Sequence, residues 1–389
     1  MVTLRHNKAL LGTYMMTLLY AFHYGIPLYA TSSYLGFTFS TPAISFLFAL
    51  ASLVTFFLSL HITKYIRRFH TYSFTQGAVA SQIIITIALA FTQSPILLAI
   101  FFISHFVLTS VLYVSINTFV ERFSPHHETG TIRGMFLTIL NLGILISPFF
   151  GGAILERGGY QTLYIVSALI LIPFMFLLHR FMQHMPEPQY SKIELIEAFK
   201  TGWKNKDIRI TLIALFLLES FYAIMVIYSP MYLMTQGISL PLYLTAILPV
   251  ALLPLVLMPY ELGILADTRL GEKELLIAGL LIMSLFSLFI AITSTSNIIV
   301  WILLFFFSRV GAALVETMTF TYYFKKIKSS DIGLITLFSN VRSMAVVVAP
   351  CVGIFLTPFM SVYPGIIFIM LSLVLLYGAL QTFSLHDTR

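Results

Sequence analysis

Charge is what this 389-residue chain has least of. Asp, Glu, Lys and Arg together supply 10% of it, against roughly 25% in a soluble domain, which excludes a water-solvated fold of ordinary type. There is a single cysteine, Cys351, so no internal disulfide can form, and its apolar neighbours suit a small packed side chain. Zinc spacings, phosphate loops and nucleophile–base arrangements are missing from the sequence. His126, His127 and Glu128 are adjacent and do not share a helix face. No enzyme activity, metal or cofactor is therefore expected. The formal charge of +7 is not gathered into a basic patch on a soluble module, which removes nucleic acid as a partner. What is abundant is apolar: 59% hydrophobic residues, 36 of them Phe, and a mean hydropathy of +0.94.

Apolar windows long enough to cross a bilayer, about 20 residues each, lie at 9–34, 43–62, 72–91, 95–119, 132–154, 160–181, 208–234, 242–262, 274–293, 297–323, 332–357 and 363–384. The first exceeds the roughly 7 to 15 apolar residues of a signal peptide and reads as a retained span. Of the 22 lysines and arginines, 19 fall at the termini or in even-numbered loops, counted with the span ends that border them. Arg157 alone occupies an odd-numbered loop, while Arg309 and Arg342 lie inside spans. Positive charge collects on the cytoplasmic side, so this bias places both termini there and supports an even count of twelve. The expected fold is an all-α membrane protein of twelve transmembrane helices in two pseudo-symmetric six-helix bundles, located in the inner or plasma membrane as a monomer.

The longest polar interval separates residues 1–181, an N-terminal bundle, from residues 208–389, a C-terminal bundle, leaving 182–207 as a cytoplasmic linker. Within it Ile193, Ile196, Phe199 and Trp203 recur at helical spacing among Lys192, Lys200, Lys204 and Lys206, the pattern of a basic amphipathic helix on an anionic leaflet. A solvated tether is the plainer alternative. The halves echo each other. Pro27-Leu28-Tyr29 returns as Pro230-Met231-Tyr232 and Pro148 with Gly151 returns as Pro350 with Gly353, about 200 residues on in each case, as an internal duplication requires.

Between spans 8 and 9 the chain reads GILADTRLGEK. Gly263, Asp267, Arg269, Gly271 and Lys273 resemble the signature loop of the major facilitator superfamily, with Thr268 inserted and Glu272 where a basic residue is usual. The matching loop of the first half, SLHITKYIRR, keeps Lys64, Arg67 and Arg68 but has Ser59 and Thr63 for the Gly and Asp. The resemblance implies a cytoplasmic gate at the loop between spans 8 and 9, with Asp267 holding a neighbouring helix end, and not at the first-half loop, where Thr63 replaces the Asp. Gly134, Gly143, Pro148, Gly151 and Gly152 are similar to the glycine-rich fifth-helix motif of the family's antiporter branch, with Ser147 for one glycine. Close helix packing without any antiport meaning is the competing reading of that motif.

Ionisable groups inside apolar spans are costly and mark function by default. Glu219 in span 7, Arg309 and Glu316 in span 10 and Arg342 in span 11 are the ones present here. Seven residues bring Arg309 and Glu316 onto one helix face, roughly 10 Å apart. Glu316, then Glu219, are the candidates for proton coupling, set against static Arg–Glu pairing. Arg309 and Arg342 are candidate ligands for an anionic group, and His23, Tyr24, Tyr29, Asn141, Tyr222 and Tyr228 are candidate substrate-binding residues of a central cavity, His23 being also a candidate proton carrier set against a hydrogen-bonded packing role. His105 in span 4 reads as a packing residue. The function these features imply is secondary transport of a small solute, most simply proton-coupled efflux. Import or facilitated diffusion of a sugar or organic acid is the alternative, and a receptor or lipid-handling protein on the same scaffold is a third.

Overall fold

The computed structural model describes residues 2–122, 129–183, 195–268, 270–327, 332–360 and 362–386. They form helices and turns, with no strand among the described residues. The chain divides into two compact units, one of Met1–Ser40 with Leu50–Tyr190 and one of Thr41–Ala49 with Ser191–Arg389.

The first unit holds α1 (Val2–Leu28), α2 (Thr31–Leu35), most of α3 (Thr41–Phe69), α4 (Thr71–Phe91), α5 (Pro95–Arg122), α6 (Thr129–Leu169) and α7 (Leu171–Met182). Pro42 sits in the first turn of α3, where a missing N–H costs nothing. The reversal from α3 to α4 is made by His70 alone, at φ 63°. α6 has 41 residues, about 60 Å at 1.5 Å per residue and twice a bilayer core. It is broken at Gly159, whose φ of 65° is open to glycine without steric penalty, so it carries two passages. Met16, Leu112, Phe119, Phe174 and Leu178 are buried in the core.

Small residues seat α1 against α6. A Cβ on Gly151 would lie 2.6 Å from the carbonyl oxygen of Ile26, and one on Gly25 would lie 2.6 Å from Cβ of Ser147. Gly143 approaches Ala21 as closely. In a membrane, where lipid removes the hydrophobic drive between helices, such backbone proximity is what dispersion forces require.

The second unit holds α8 (Leu195–Lys204), α9 (Lys206–Thr235), α10 (Leu240–Leu242), a π-helical turn (Tyr243–Ile247), α11 (Leu248–Leu257), α12 (Pro259–Thr268), α13 (Glu272–Ile292), α14 (Ile298–Lys326), α15 (Ile332–Met360) and α16 (Ile366–Thr382). Asn205 caps α9 by accepting from the amides of Asp207 and Ile208, and Asn297 caps α14 through Ile299, satisfying N–H groups that a helix start leaves open. α9 packs against α14, α15 and α16, and 78% of its apolar window is buried, as suits a helix hydrophobic on every side. Gly353 of α15 faces the Tyr228 hydroxyl of α9 so closely that a Cβ would overlap it.

One expected span is reshaped. Window 242–262 is not a continuous α-helix: Pro249 offers no N–H to Thr245, and the run, which carries Pro254 inside α11, breaks at Met258 before Pro259 opens α12. The ladder adjusts by a π turn in which Leu248 N–H donates to Tyr243 O. Among the described residues, nine helical runs are long and apolar enough to cross a membrane. Met135–Met182 is 48 residues long and holds two passages, and α1 and the 17-residue α16 complete a set consistent with twelve. Of the linker, residues 184–194 lie outside the described residues and α8 is helical.

Candidate functional site

Four ionisable residues and one tyrosine converge inside the second unit. α9 supplies Glu219 and Tyr222, α14 supplies Arg309 and Glu316, and α15 supplies Arg342. Nε of Arg342 lies 3.0 Å from Oε2 of Glu219, while the Tyr222 hydroxyl donates to Oε2 of Glu316 at 2.8 Å. Glu219, Arg342 and Arg309 all act electrostatically on Glu316. The shared face of Arg309 and Glu316 does not give a direct ion pair, because Tyr222 stands between them. Its ring receives the Arg309 guanidinium at 5.5 Å from the centroid, and the Phe221 ring does so at 4.8 Å.

Burial divides the four. Arg309 is completely buried, and among the described residues Nε, Nη1 and Nη2 have no hydrogen-bond partner. Cation–π contact offsets part of that cost, but an unsatisfied buried donor forfeits about 1–3 kcal/mol. Glu219 is buried, whereas Glu316 and Arg342 are exposed. The exposed stripe of α14 at its Leu303 end runs through Phe307. Glu316 is nine residues beyond Phe307 and so lies half a turn round the helix. The accessible carboxylate therefore sits opposite the apolar stripe of the Leu303 end, with exposed Phe320 one turn on along its own side.

In the first unit His23 and His105 meet in a different kind of centre. Nδ1 of His23 lies 2.9 Å from both O and Oγ of Ser167, so it carries the proton toward that carbonyl and leaves Nε2 to accept from Nε2 of Gln82 at 2.9 Å. The same Gln82 amide donates to Oγ1 of Thr109 and lies 3.0 Å from Nδ1 of His105, which Thr86 also contacts. His23, Gln82, Thr86 and Ser167 are fully buried, and Oε1 of Gln82 has no partner. Among the described residues no carboxylate or cation bonds into this node, which ties α1, α4, α5 and α6 together. Gln82 escaped the sequence reading, although an amide at mid-span carries the signal that singled out the charges.

The other candidates scatter. Tyr24 stacks on Tyr20 with centroids 6.1 Å apart, Tyr29 is buried and Asn141 is exposed. Tyr228 is buried and bonds Ser45, 2.7 Å away, in the part of α3 that belongs to the second unit.

The sequence matches the family model of the Major Facilitator Superfamily over residues 2–148 and 89–350. The chain belongs to the major facilitator superfamily. Its fold is similar to that of a bacterial homologue of the human lysosomal transporter Spinster, solved in an inward-facing and unoccupied conformation. The TM-score is 0.70 at 13% identity, over 97% of this chain and 93% of that one. No curated protein matches the chain. Of the superfamily's signature loop, the Asp267 side chain and Arg269 lie outside the described residues. A Cβ on Gly263 would meet no described atom within 4 Å, Gly271 is the N-cap of α13, and Lys273 is half-buried. Glu272, the departure from the superfamily pattern, is buried and bonds Nζ of Lys325 at the end of α14. Of the fifth-helix motif, Gly143, Pro148, Gly151 and Gly152 are buried in α6, whereas the packing of Gly134 lies outside the described residues.

Proposed function

We propose that this superfamily transporter is a proton-coupled exporter of small amphipathic organic solutes, working by alternating access in the cell membrane with both termini cytoplasmic. The single observation that carries the reading is the incomplete pairing of the charged cluster. Two acids and two guanidiniums share the membrane interior of one unit, yet among the described residues Arg342 pairs with Glu219 while Glu316 and Arg309 are joined to tyrosine and aromatic rings. Glu316 is held by a phenol and remains accessible.

Such a carboxylate is suited to taking up a proton at an Oε atom. Neutralising it removes the attraction toward Arg309 and Arg342 and weakens the charge-assisted bond from Tyr222, so the packing of α9 on α14 depends on proton occupancy. A step of this kind biases a two-state bundle, and the solute is exchanged for the proton when the bundle opens to the other side. In proteoliposomes, adding solute should drive proton movement that Glu316→Gln abolishes and Glu219→Gln reduces. Flux that is absent, or unchanged in both variants, overturns the reading.

The exposure of Arg342, 55% for its side chain, favours a second reading, in which the guanidinium binds an organic acid during uptake or facilitated diffusion. Counterflow of that acid without a pH gradient, lost in Arg342→Gln, would select it.

A further inference from the structure

α8 presents three different stripes to its surroundings. Gly202 faces the rest of its unit: a Cβ there would lie 3.2 Å from Cδ2 of Leu337, 3.3 Å from Cδ2 of Leu334 and 3.5 Å from Cγ2 of Ile208. One residue on, Trp203 is exposed, and Phe199, four residues earlier on the same stripe, is exposed too. Their rings stack with centroids 5.3 Å apart and planes 20° from parallel. Lys200 and Lys204 form the third stripe, about 100° further round. Both are exposed, and neither is in an ion pair among the described residues. Going round the helix, the order is protein contact, aromatic ledge, lysines.

The helix cannot move far from the bilayer surface. Asn205 alone separates it from Lys206, the first residue of a membrane-crossing helix, and the Arg209 guanidinium donates to the Trp203 carbonyl at 3.1 Å, pinning the end of α8. Two large apolar rings left outside the protein at that depth belong at the headgroup–acyl boundary, where tryptophan partitions best. The adjoining cations then reach the headgroup plane.

We propose that α8 is a docking surface for anionic phospholipid, with Phe199 and Trp203 wedged at the acyl boundary and Lys200 and Lys204 on headgroup phosphates. The lysines attract negatively charged lipid and the rings set depth, so the surface discriminates by headgroup charge. It is independent of the transported solute and of the direction of transport.

The chain has two tryptophans. Trp301 is fully buried, with Nε1 bonded to Thr295, so subtracting the emission of Trp203→Phe isolates Trp203. The full chain is reconstituted in phosphatidylcholine bilayers containing a minor fraction of lipid brominated near the glycerol end of its chains, carried either by phosphatidylglycerol or by phosphatidylcholine. Quenching of Trp203 should be stronger with the brominated phosphatidylglycerol, local enrichment being about fivefold for each lysine engaged. In Lys200→Gln/Lys204→Gln the two lipids should quench equally while Trp203 stays at its depth. Equal quenching by both lipids in the unmodified protein overturns the proposal. So does emission at the water-exposed wavelength without quenching by either, and so does a shielded Trp203, which would indicate a protein on this face.

Discussion

Arg309 is the residue where cost and use are most clearly opposed. It is wholly buried, faces two aromatic rings and, among the described residues, none of its side-chain nitrogens makes a hydrogen bond. Replacing a buried, poorly satisfied ion by an apolar side chain of similar length commonly stabilises by about 1–4 kcal/mol. Arg309→Met should therefore raise the unfolding temperature in detergent while abolishing transport in liposomes, and a fall in unfolding temperature would mean that the guanidinium has a strong partner. Glycines give a second contrast. Gly77 lies within α4 with nothing near the position of a Cβ, whereas one on Gly151 would meet the Ile26 carbonyl oxygen. Gly77→Ala should stabilise by up to about 1 kcal/mol through helix propensity, and Gly151→Ala should cost about 1–3 kcal/mol through overpacking. Thermal unfolding of the two variants side by side checks the sign of each. At this scale the sequence located the ions but not their partners. Spacing put Arg309 and Glu316 on one face, yet Tyr222, which intercepts them, comes from a helix 94 positions away. Gln82 and its histidines likewise meet across three helices, a relation no local pattern encodes.

Helices were legible wherever hydropathy alone decides them, and obscure where proline or glycine edits the ladder. The π turn before Pro249 and the reversal at Gly159 both lie within apolar stretches of unremarkable composition, so a window average passes over them. Helix ends are harder still, because what fixes them is contact between ends. α9 and α14 are joined at one end by Asp207, whose carboxylate lies 3.1 Å from Nζ of Lys326 and 3.0 Å from Nδ1 of His386. The His386 amide also bonds it, and Tyr322 donates to the His386 carbonyl. This knot holds the C-terminal tail against two membrane helices, with Asp207 buried and Lys326 and His386 partly in solvent. Asp207→Ala should lower stability by about 1–2 kcal/mol, less than a fully buried pair would. It should also release the amides near His386 to fast hydrogen exchange, while those in the middle of α9 stay protected. Unchanged exchange at the tail would show that other contacts hold it.

For the whole molecule, the distribution of lysine and arginine gave the proposed orientation, since charge translocation is penalised irrespective of how helices pack. Arg157→Cys and Lys204→Cys, each in a Cys351→Ser background, test it. An impermeant maleimide added to intact cells should label position 157 and spare position 204, with the pattern reversed in inverted vesicles. The paired Pro and Gly positions from which a duplication was read have different surroundings in the two units. Gly151 makes room for the backbone oxygen of Ile26, while its counterpart Gly353 makes room for the side chain of Tyr228. That difference sets an order on future change. A larger residue at 353 must displace the Tyr228 hydroxyl, whereas shrinking 228 opens a void and loses its bond to Ser45. A side chain at 353 is therefore accommodated more readily once 228 has become small, a dependence of order that Gly151, with main chain in place of a phenol, does not share.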